Sequence, residues 1–319
     1  MKIFITRLAI FVLPILLLAF PLDLLLSHLL KNTREYAGEV EVWNDIYDGK
    51  INADVLVYGS SRAWKHINSQ LLEDSLGMST YNLGMDGQLF WLEYLRHKIY
   101  LQYNHAPKLI LLSLDIHSLE RNEELYNKNQ FLPYMLWNKD IYQFTSPYKG
   151  FTWVDYNIPL VRYLFNQKAT IHTIISTAKP NQEKTRNKGY KGVDLPWDVK
   201  LEIANKRKGL YNAYVDSAAL KLLEQFVTEC ATKKIELILV YAPEYIESQK
   251  FFSHKNDVMA TYTSLAQKHH LRFLNYLSHT LCSHKDLFFN NTHLNKKGSD
   301  LFSEKLAADL KNKKGLQVF

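Results

Sequence analysis

The 319-residue chain has only two cysteines, Cys230 and Cys282, which lie far apart and show no C-x-x-C spacing. Two buried free thiols are therefore favoured over a disulfide formed in an oxidising compartment. The 12 histidines follow no zinc-binding spacing, so we predict no metal site and no cofactor. No nucleic-acid-binding motif accompanies the net charge of +7, so nucleic acid is not an expected partner.

Charge is missing from a long stretch near the N-terminus. Residues 8–22 (LAIFVLPILLLAFPL) are uncharged, and Asp23 interrupts the apolar run before it resumes as LLLSHLL. The whole run is long enough to cross ~30 Å of hydrocarbon. Because no small-x-small cleavage site follows, residues 1–35 are predicted to be an uncleaved signal anchor. A cleaved signal peptide and a buried or interfacial helix are the alternatives.

The orientation of this anchor follows from its flanking charges. Lys2 and Arg7 favour a cytoplasmic N-terminus. We therefore predict a single-pass protein of the inner (cytoplasmic) membrane whose main domain is periplasmic or extracellular. An acid at mid-bilayer is costly, so Asp23 is expected near the exit end of the span, where its carboxylate can reach the interface.

Residues 36–319 are predicted to form one domain, in which strand and helix patterns alternate on either side of a long insertion. The strand patterns are mostly continuous apolar runs, which are typical of parallel strands covered on both faces. They predict a three-layer, doubly wound, flavodoxin-like α/β domain. The predicted strands are Asp54 to Tyr58, Ser79 to Asn82, Leu109 to Leu114, Glu236 to Tyr241 and Leu271 to Asn275. The predicted helices are Ser69 to Leu76, Phe90 to Gln102, Asp216 to Lys234 and Val258 to His269.

The interval at about 118–215 does not follow this alternation. It is rich in tyrosine, tryptophan, asparagine and lysine, and much of it shows no clean period. Connections this long are usually functional insertions or lids. Aromatic residues such as Trp137 and Trp153 suit either stacking on sugar rings or packing within the lid.

Polar residues follow the predicted strands at the points where these strands end. Gly59-Ser60-Ser61-Arg62 follows the first strand, NLGMDGQ the second and SLDIH the third, while His293 lies in FFNNTHLN near the C-terminus. The carboxyl ends of parallel strands meet at one edge of a sheet. A serine hydroxyl becomes a nucleophile when a base takes its proton, and the resulting oxyanion needs preorganised donors. Both requirements are met at this edge.

These blocks resemble the SGNH (GDSL-like) hydrolase superfamily, in particular its membrane-anchored cell-surface branch with a G-S-S-R first block. The resemblance covers the sheet motifs from about Asp54 to the C-terminal helix. It implies that Ser61 is the nucleophile and that the N–H groups of Ser61 and Gly84 line the oxyanion hole. The third block, Ser113 to Ile116, lacks the usual asparagine.

The last block of the superfamily reads D-x-x-H, and here it is Asn290-Asn291-Thr292-His293. The resemblance implies that His293 is the base and that Asn290 takes the place of the acid. An asparagine carbonyl can still accept a hydrogen bond from Nδ1–H of histidine, as in Cys-His-Asn enzymes. Asp115 or Asp286 is an alternative source of the missing carboxylate.

The neighbours of Ser61 receive separate predictions. Ser60 is expected to be a helix N-cap or turn residue. Arg62 is expected either to clamp an acidic group of the substrate or to pair with a local acid such as Asp86. Asp115 is expected either to line the substrate site or to end a strand.

The resemblance implies a membrane-anchored serine esterase or O-acyltransferase that acts on acyl groups, acetyl in particular, of a cell-surface polysaccharide. A membrane-bound O-acyltransferase is a partner implied by the resemblance alone. The alternative is a catalytically impaired module that binds glycan or scaffolds an envelope polysaccharide complex. A third hypothesis is a receptor whose partner-binding face is the insertion.

Overall fold

The computed structural model describes residues 2–177, 184–199 and 210–312, and a five-stranded parallel sheet is its central feature. The strand order is β2-β1-β3-β4-β5, which is the flavodoxin-like order. All five predicted strands are confirmed to within one residue at each end. The strands are β1 (Val55–Gly59), β2 (Thr80–Asn82), β3 (Leu109–Leu114), β4 (Glu236–Tyr241) and β5 (Arg272–Asn275).

Helices pack against this sheet because its strands are apolar on both faces. Every residue of β1 and β3 is buried, as expected for strands that have no solvent-facing side. The helices that contact the sheet are among the following, which are all the helices of the described residues: α1 (Lys2–Lys31), α2 (Glu39–Tyr47), α3 (Ser61–His66), α4 (Ser69–Leu76), α5 (Phe90–Tyr103), α6 (Lys139–Thr145), α7 (Trp153–Asn157), α8 (Val161–Phe165), α9 (Gln167–Thr177), α10 (Ser217–Thr232), α11 (Lys255–Lys268) and α12 (Lys296–Lys311). Those in contact with it include α3, α4, α5, α10 and α11.

Shorter elements complete the described chain. Tyr211–Asn212 and Phe252–Ser253 form a separate two-stranded parallel pair. Five 3₁₀ turns lie within the described residues, at Tyr36–Gly38, Lys128–Phe131, Ser248–Phe251, Thr280–Ser283 and Lys285–Leu287. Cys230 and Cys282 are both buried free thiols.

The chain divides into two compact units. Unit 1 comprises residues 1–44 and 122–185, and unit 2 comprises residues 45–121 and 186–319. The sheet and every predicted site residue belong to unit 2. The domain boundaries expected from sequence, with an insertion at about 118–215, stay a prediction, and residues 178–183 and 200–209 of that insertion lie outside the described residues.

Unit 1 contains the apolar helix α1. Its segment Ile10–Lys31 contains 18 consecutive residues with a mean hydropathy of 2.4 and is long and apolar enough to cross a membrane. Where Asp23 lies relative to the membrane interface stays a prediction. Its carboxylate does not reach out to solvent but is buried, 2.6 Å from the guanidinium of Arg162, because the insertion supplies a cation beside it.

Candidate active site

A glycine at the end of β1 places the serines at the sheet edge. Gly59 has φ +140°, and a Cβ atom there would lie 2.5 Å from the carbonyl oxygen of Ser113 on β3. Only glycine fits this close turn. The chain then enters α3 with Ser60 as its N-cap, whose side-chain oxygen accepts from the N–H of Arg62. Ser61 is consequently the first residue of α3, beyond the carboxyl end of the strand.

Ser61, His293 and Asn290 form a hydrogen-bonded chain. Ser61 Oγ lies 2.8 Å from His293 Nε2, and Asn290 Oδ1 lies 3.0 Å from His293 Nδ1. The three residues predicted from sequence to form the catalytic group therefore lie together. Asp286 does not take the place of the acid, since its carboxylate is exposed and 3.3 Å from Lys297.

Backbone donors fix the orientation of the Asn290 amide. Its Oδ1 accepts from the N–H of Thr292 at 3.0 Å and from the N–H of His293 at 2.9 Å, so the oxygen rather than the NH₂ group faces the imidazole. An amide oxygen only accepts, so Nδ1 of His293 carries a proton and donates a hydrogen bond to Asn290. The lone pair on Nε2 is then directed at Ser61, as a general base requires.

Burial keeps this imidazole neutral. The pKa of His293 is held well below its usual range, first by burial and then by the positive charges of Lys65 and Arg62. The ring stacks on Phe289 with 5.4 Å between centroids, and His66 packs edge-on at 5.8 Å. A neutral imidazole is the form that can accept the serine proton.

This lowered pKa sets the expected pH dependence. A base with a depressed pKa remains unprotonated until the pH falls below that pKa, so kcat/KM for a soluble ester should stay constant from pH 8 down past 6.5. The Lys65→Met variant should move the acid limb towards neutral pH, because one cation near His293 is removed. An acid limb at or above pH 6.5 in the wild-type protein would contradict the environment described for His293.

The two predicted oxyanion donors differ in their availability. Ser61 N–H begins α3 and so has no acceptor within the helix. The N–H of Gly84, in contrast, donates to Asn82 Oδ1 at 2.9 Å. The sequence analysis assigned this N–H to the oxyanion hole, but in the structure it already has an acceptor. The reason is that the Asn82 side chain also donates to the carbonyl oxygens of Ala63 and Ile67, which fixes its Oδ1 beside Gly84.

Gly84 has a packing role at this position. A Cβ atom on it would lie 2.6 Å from the backbone nitrogen of Trp64, within α3. The adjoining Met85 N–H donates to the carbonyl of Gly59 at 2.8 Å. The glycine of the second block thus lets the loop after β2 approach α3 closely.

Arg62 lies beside an acid, as one of its two predictions had it, but that acid is Glu244 and not Asp86. It is buried, its Nη2 donates to the carbonyl of Ala242 at 2.6 Å, and its Nη1 lies 3.9 Å from Glu244. One residue after Ser61, the helix has turned by about 100°, which directs this side chain into the interior. Asp86 lies 3.9 Å from Lys65.

Asp115 binds Ser60 rather than His293. Ser60 Oγ donates to Asp115 Oδ2 at 2.5 Å, and the N–H of His117 donates to Oδ1 at 2.8 Å. Asp115 is buried at the end of β3, so it supports the serine turn and does not replace the missing acid of the histidine. Of the two placements predicted for Asp115, this one matches the end of a strand.

Lys65 is the site residue that the sequence analysis missed. It follows Ser61 by four positions, which places both residues on one face of α3. Its ammonium lies 5.7 Å from the ring centroid of Phe289, and burial lowers the pKa of Lys65. The i, i+4 spacing from the serine was the signal available in the sequence.

Comparison with family models and with curated proteins gives no match. Among solved structures, a Streptococcus pneumonia protein provisionally described as a platelet activating factor is similar over 91% of this chain and 98% of its own, with 14% identity and a TM-score of 0.43. A Bacteroides fragilis protein provisionally described as an acylhydrolase is similar over 80% and 86%, with 12% identity and a TM-score of 0.34. Likenesses this distant carry no argument about function, which rests on the side chains of this chain.

Proposed function

We propose that this protein is a membrane-anchored serine esterase or O-acyltransferase that acts on acyl groups, acetyl in particular, of a cell-surface polysaccharide. The observation that carries the proposal is the chain from Ser61 through His293 to Asn290, with contacts of 2.8 and 3.0 Å. A serine beside a neutral, oriented imidazole is an arrangement that activates a hydroxyl for attack on a carbonyl.

The reaction follows from these positions. Ser61 Oγ attacks the acyl carbonyl while His293 Nε2 takes its proton, and the N–H of Ser61 faces the developing oxyanion. The imidazolium then returns the proton to the departing alcohol oxygen, which leaves an acyl ester on Ser61. Water or a sugar hydroxyl attacks this ester, His293 takes and returns a proton again, and the product is a free acid or a new ester.

The membrane location rests on α1 and its flanking charges. We place the protein in the cytoplasmic membrane with a single span and with unit 2 in the periplasm or outside the cell. The polysaccharide substrate and the membrane-bound O-acyltransferase partner are suggested by the resemblance of the sequence blocks. Each belongs to the proposal rather than to the observed geometry.

Capture of the acyl-enzyme tests the reaction. The full chain, purified in detergent, is incubated with a soluble acetyl ester, quenched in acid and digested, and the peptide that contains Ser61 is analysed by mass spectrometry. We expect an acetyl group on Ser61 and none on that peptide in Ser61→Ala. Addition of an acyl-free polysaccharide distinguishes transfer, which gives an acetylated glycan, from hydrolysis. No acetylated peptide and no released acetate would overturn the proposal.

A non-catalytic glycan-binding or scaffolding module is the second candidate. Two observations favour it: Asn290 supplies an amide where a triad has a carboxylate, and Gly84 N–H is already donated to Asn82. The first feature weakens stabilisation of the imidazolium, and the second removes one oxyanion donor. This candidate predicts that the well-folded wild-type protein forms no acyl-enzyme.

The Asn290→Asp variant separates the two candidates further. A carboxylate would accept the same two backbone hydrogen bonds and would also stabilise the imidazolium. A charge-assisted hydrogen bond contributes ~1 kcal/mol more than a neutral one, so turnover should rise about fivefold. The pKa of His293 should rise too, and the acid limb of kcat/KM should move towards neutral pH. Unchanged turnover and an unchanged pH profile would contradict a catalytic role for this contact.

A further inference from the structure

A second histidine, His66, lies buried beside the candidate base at the last position of α3. Its ring is edge-on to the ring of His293, with 5.8 Å between centroids. His66 Nε2 accepts a hydrogen bond at 3.1 Å from the N–H of Leu294, the residue that follows His293. An imidazole nitrogen that accepts carries no proton, so the proton of the neutral ring is on Nδ1. His66 is therefore bonded to the backbone that carries the base.

The base lies on a loop, residues 288–294, that is held together by its own hydrogen bonds. The N–H of Phe289 donates to the carbonyl of His293 at 3.1 Å, and Asn290 Oδ1 accepts from the N–H of His293 at 2.9 Å. These contacts fix the base relative to its own loop, but all of them would survive a shift of the loop as one body. The distance from His293 to Ser61 therefore depends on contacts between the loop and α3.

Helix α3 makes such contacts at both of its ends. At its N-terminus Ser61 Oγ lies 2.8 Å from His293 Nε2, and at its C-terminus His66 accepts from Leu294. The helix has six residues, about 9 Å of rigid backbone, so a loop held at His66 has a fixed position relative to Ser61. The contact of Ser61 with the base is lost whenever the serine carries an acyl group. The contact of His66 uses the main chain and persists through both halves of the reaction.

Two properties of this surrounding keep His66 an acceptor. The pKa of His66 is held well below its usual range, first by burial and then by the positive charge of Arg62. Leu294 has no exposed surface, so water does not compete for its N–H. Within the described residues, Nδ1 of His66 is buried and has no hydrogen-bond partner. Packing alone would be served better by an apolar side chain, so the acceptor at Nε2 is what accounts for a histidine at this position.

We propose that His66 is a positioning residue: by accepting the N–H of Leu294, it holds the loop so that His293 Nε2 stays within reach of Ser61 Oγ. The inference rests on the proposed function and goes beyond it, because the chain from Ser61 to Asn290 makes no use of a second histidine. His66 neither takes nor gives a proton in the reaction. Loss of its acceptor should therefore lower kcat and leave KM nearly unchanged.

Two amides of different length test this role in the full chain, purified in detergent. The amide of glutamine reaches the position of histidine Nε2, whereas the amide of asparagine reaches only as far as Nδ1. His66→Gln keeps an acceptor for Leu294, so kcat for a soluble acetyl ester should stay within about fivefold of wild type. His66→Asn should lower kcat about a hundredfold, the effect of a ~1 Å misplacement, with KM within about twofold. Thermal unfolding of each variant gives the folded fraction to which its rate is referred.

A backbone ester at position 294, introduced as the α-hydroxy analogue of leucine, removes the donor and leaves every side chain in place. It should lower kcat as His66→Asn does. The two changes together should cost no more than either alone, since they break the same contact. Full activity of the folded ester protein, or equal losses in His66→Gln and His66→Asn, would overturn the inference and leave the proposed function standing. A wild-type protein that hydrolyses no ester would overturn both.

Discussion

Replacing Ser61 by alanine is expected to lower the hydrolysis of a soluble acetyl ester by about 10³-fold or more. In a Ser-His-Asp enzyme, loss of the serine costs about 10⁶ in kcat. Exchange of the acid for an amide costs ~10⁴ where the amide imposes the wrong tautomer. Taken together, these two values would leave the serine only a small contribution to kcat. Because Asn290 presents its oxygen to Nδ1 of His293, the tautomer is correct in this chain, so the contribution of Ser61 should be larger than that.

Ser60→Ala is the matched control for this experiment. Ser60 is the adjacent serine, but its hydroxyl donates to Asp115 at 2.5 Å and not to His293. Loss of an N-cap costs ~1 kcal/mol of stability, so this variant should fold and retain turnover within about tenfold. Equal losses of activity in both variants would show that the turn, and not the Ser61 hydroxyl, is what activity requires.

Arg162→Met is expected to destabilise the insertion by about 3–5 kcal/mol, because it leaves the Asp23 carboxylate buried without its cation. The side chains of both partners are only 1% exposed, so solvent does not replace the lost contact. The measurement is hydrogen exchange of the amides of residues 160–165 in the full chain. Exchange there should accelerate about a hundredfold or more, while the peptide Leu109–Leu114 of β3 should exchange unchanged.

The double variant Asp23→Leu with Arg162→Leu separates an unpaired charge from a lost contact. Replacing a buried ion pair by apolar residues of similar volume is often neutral or stabilising, so exchange should return towards the wild-type rate. Unchanged exchange in Arg162→Met would contradict the role of the pair in holding the insertion to α1. Fast exchange in the double variant would show that the hydrogen bond from Leu160 N–H to Asp23 is the more important contact.

The sheet was predictable because each strand is marked by local sequence. Continuous apolar runs bounded by turn residues gave β3 and β4 their observed bounds, and the parallel arrangement followed from burial on both faces. The same parallel topology brought Ser61 and His293 to one edge although they lie 232 residues apart. The turn at Gly59 has a plain signal as well, a glycine between a strand and two serines.

Side-chain directions were not predictable in the same way. Arg62 was expected near the substrate because it adjoins Ser61, yet the turn of α3 sends it inward. Lys65, four residues after Ser61, is the cation on the serine's side of the helix. The occupied N–H of Gly84 depends on an Asn82 amide whose partners, Ala63 and Ile67, become close only in the folded chain.

The partner of Asp23 was also beyond the reach of sequence patterns. Arg162 lies 139 residues further along the chain, in an interval with no clean helical or strand period. A pattern within α1 indicates only that an acid interrupts an apolar helix. The burial of Asp23 depends on the insertion folding back along α1. That is a long-range contact with no local signal in the sequence.

Labelling of the wild-type protein with a fluorophosphonate tests the central claim most directly. The reagent phosphonylates a serine only when a base has activated it, and the intact mass of the purified full chain reports the number of adducts. The Ser61–His293 contact predicts one adduct, located on Ser61, which is absent in Ser61→Ala and present in Ser60→Ala. A folded wild-type protein that gains no adduct, or gains it equally in Ser61→Ala, would contradict an activated serine at this site.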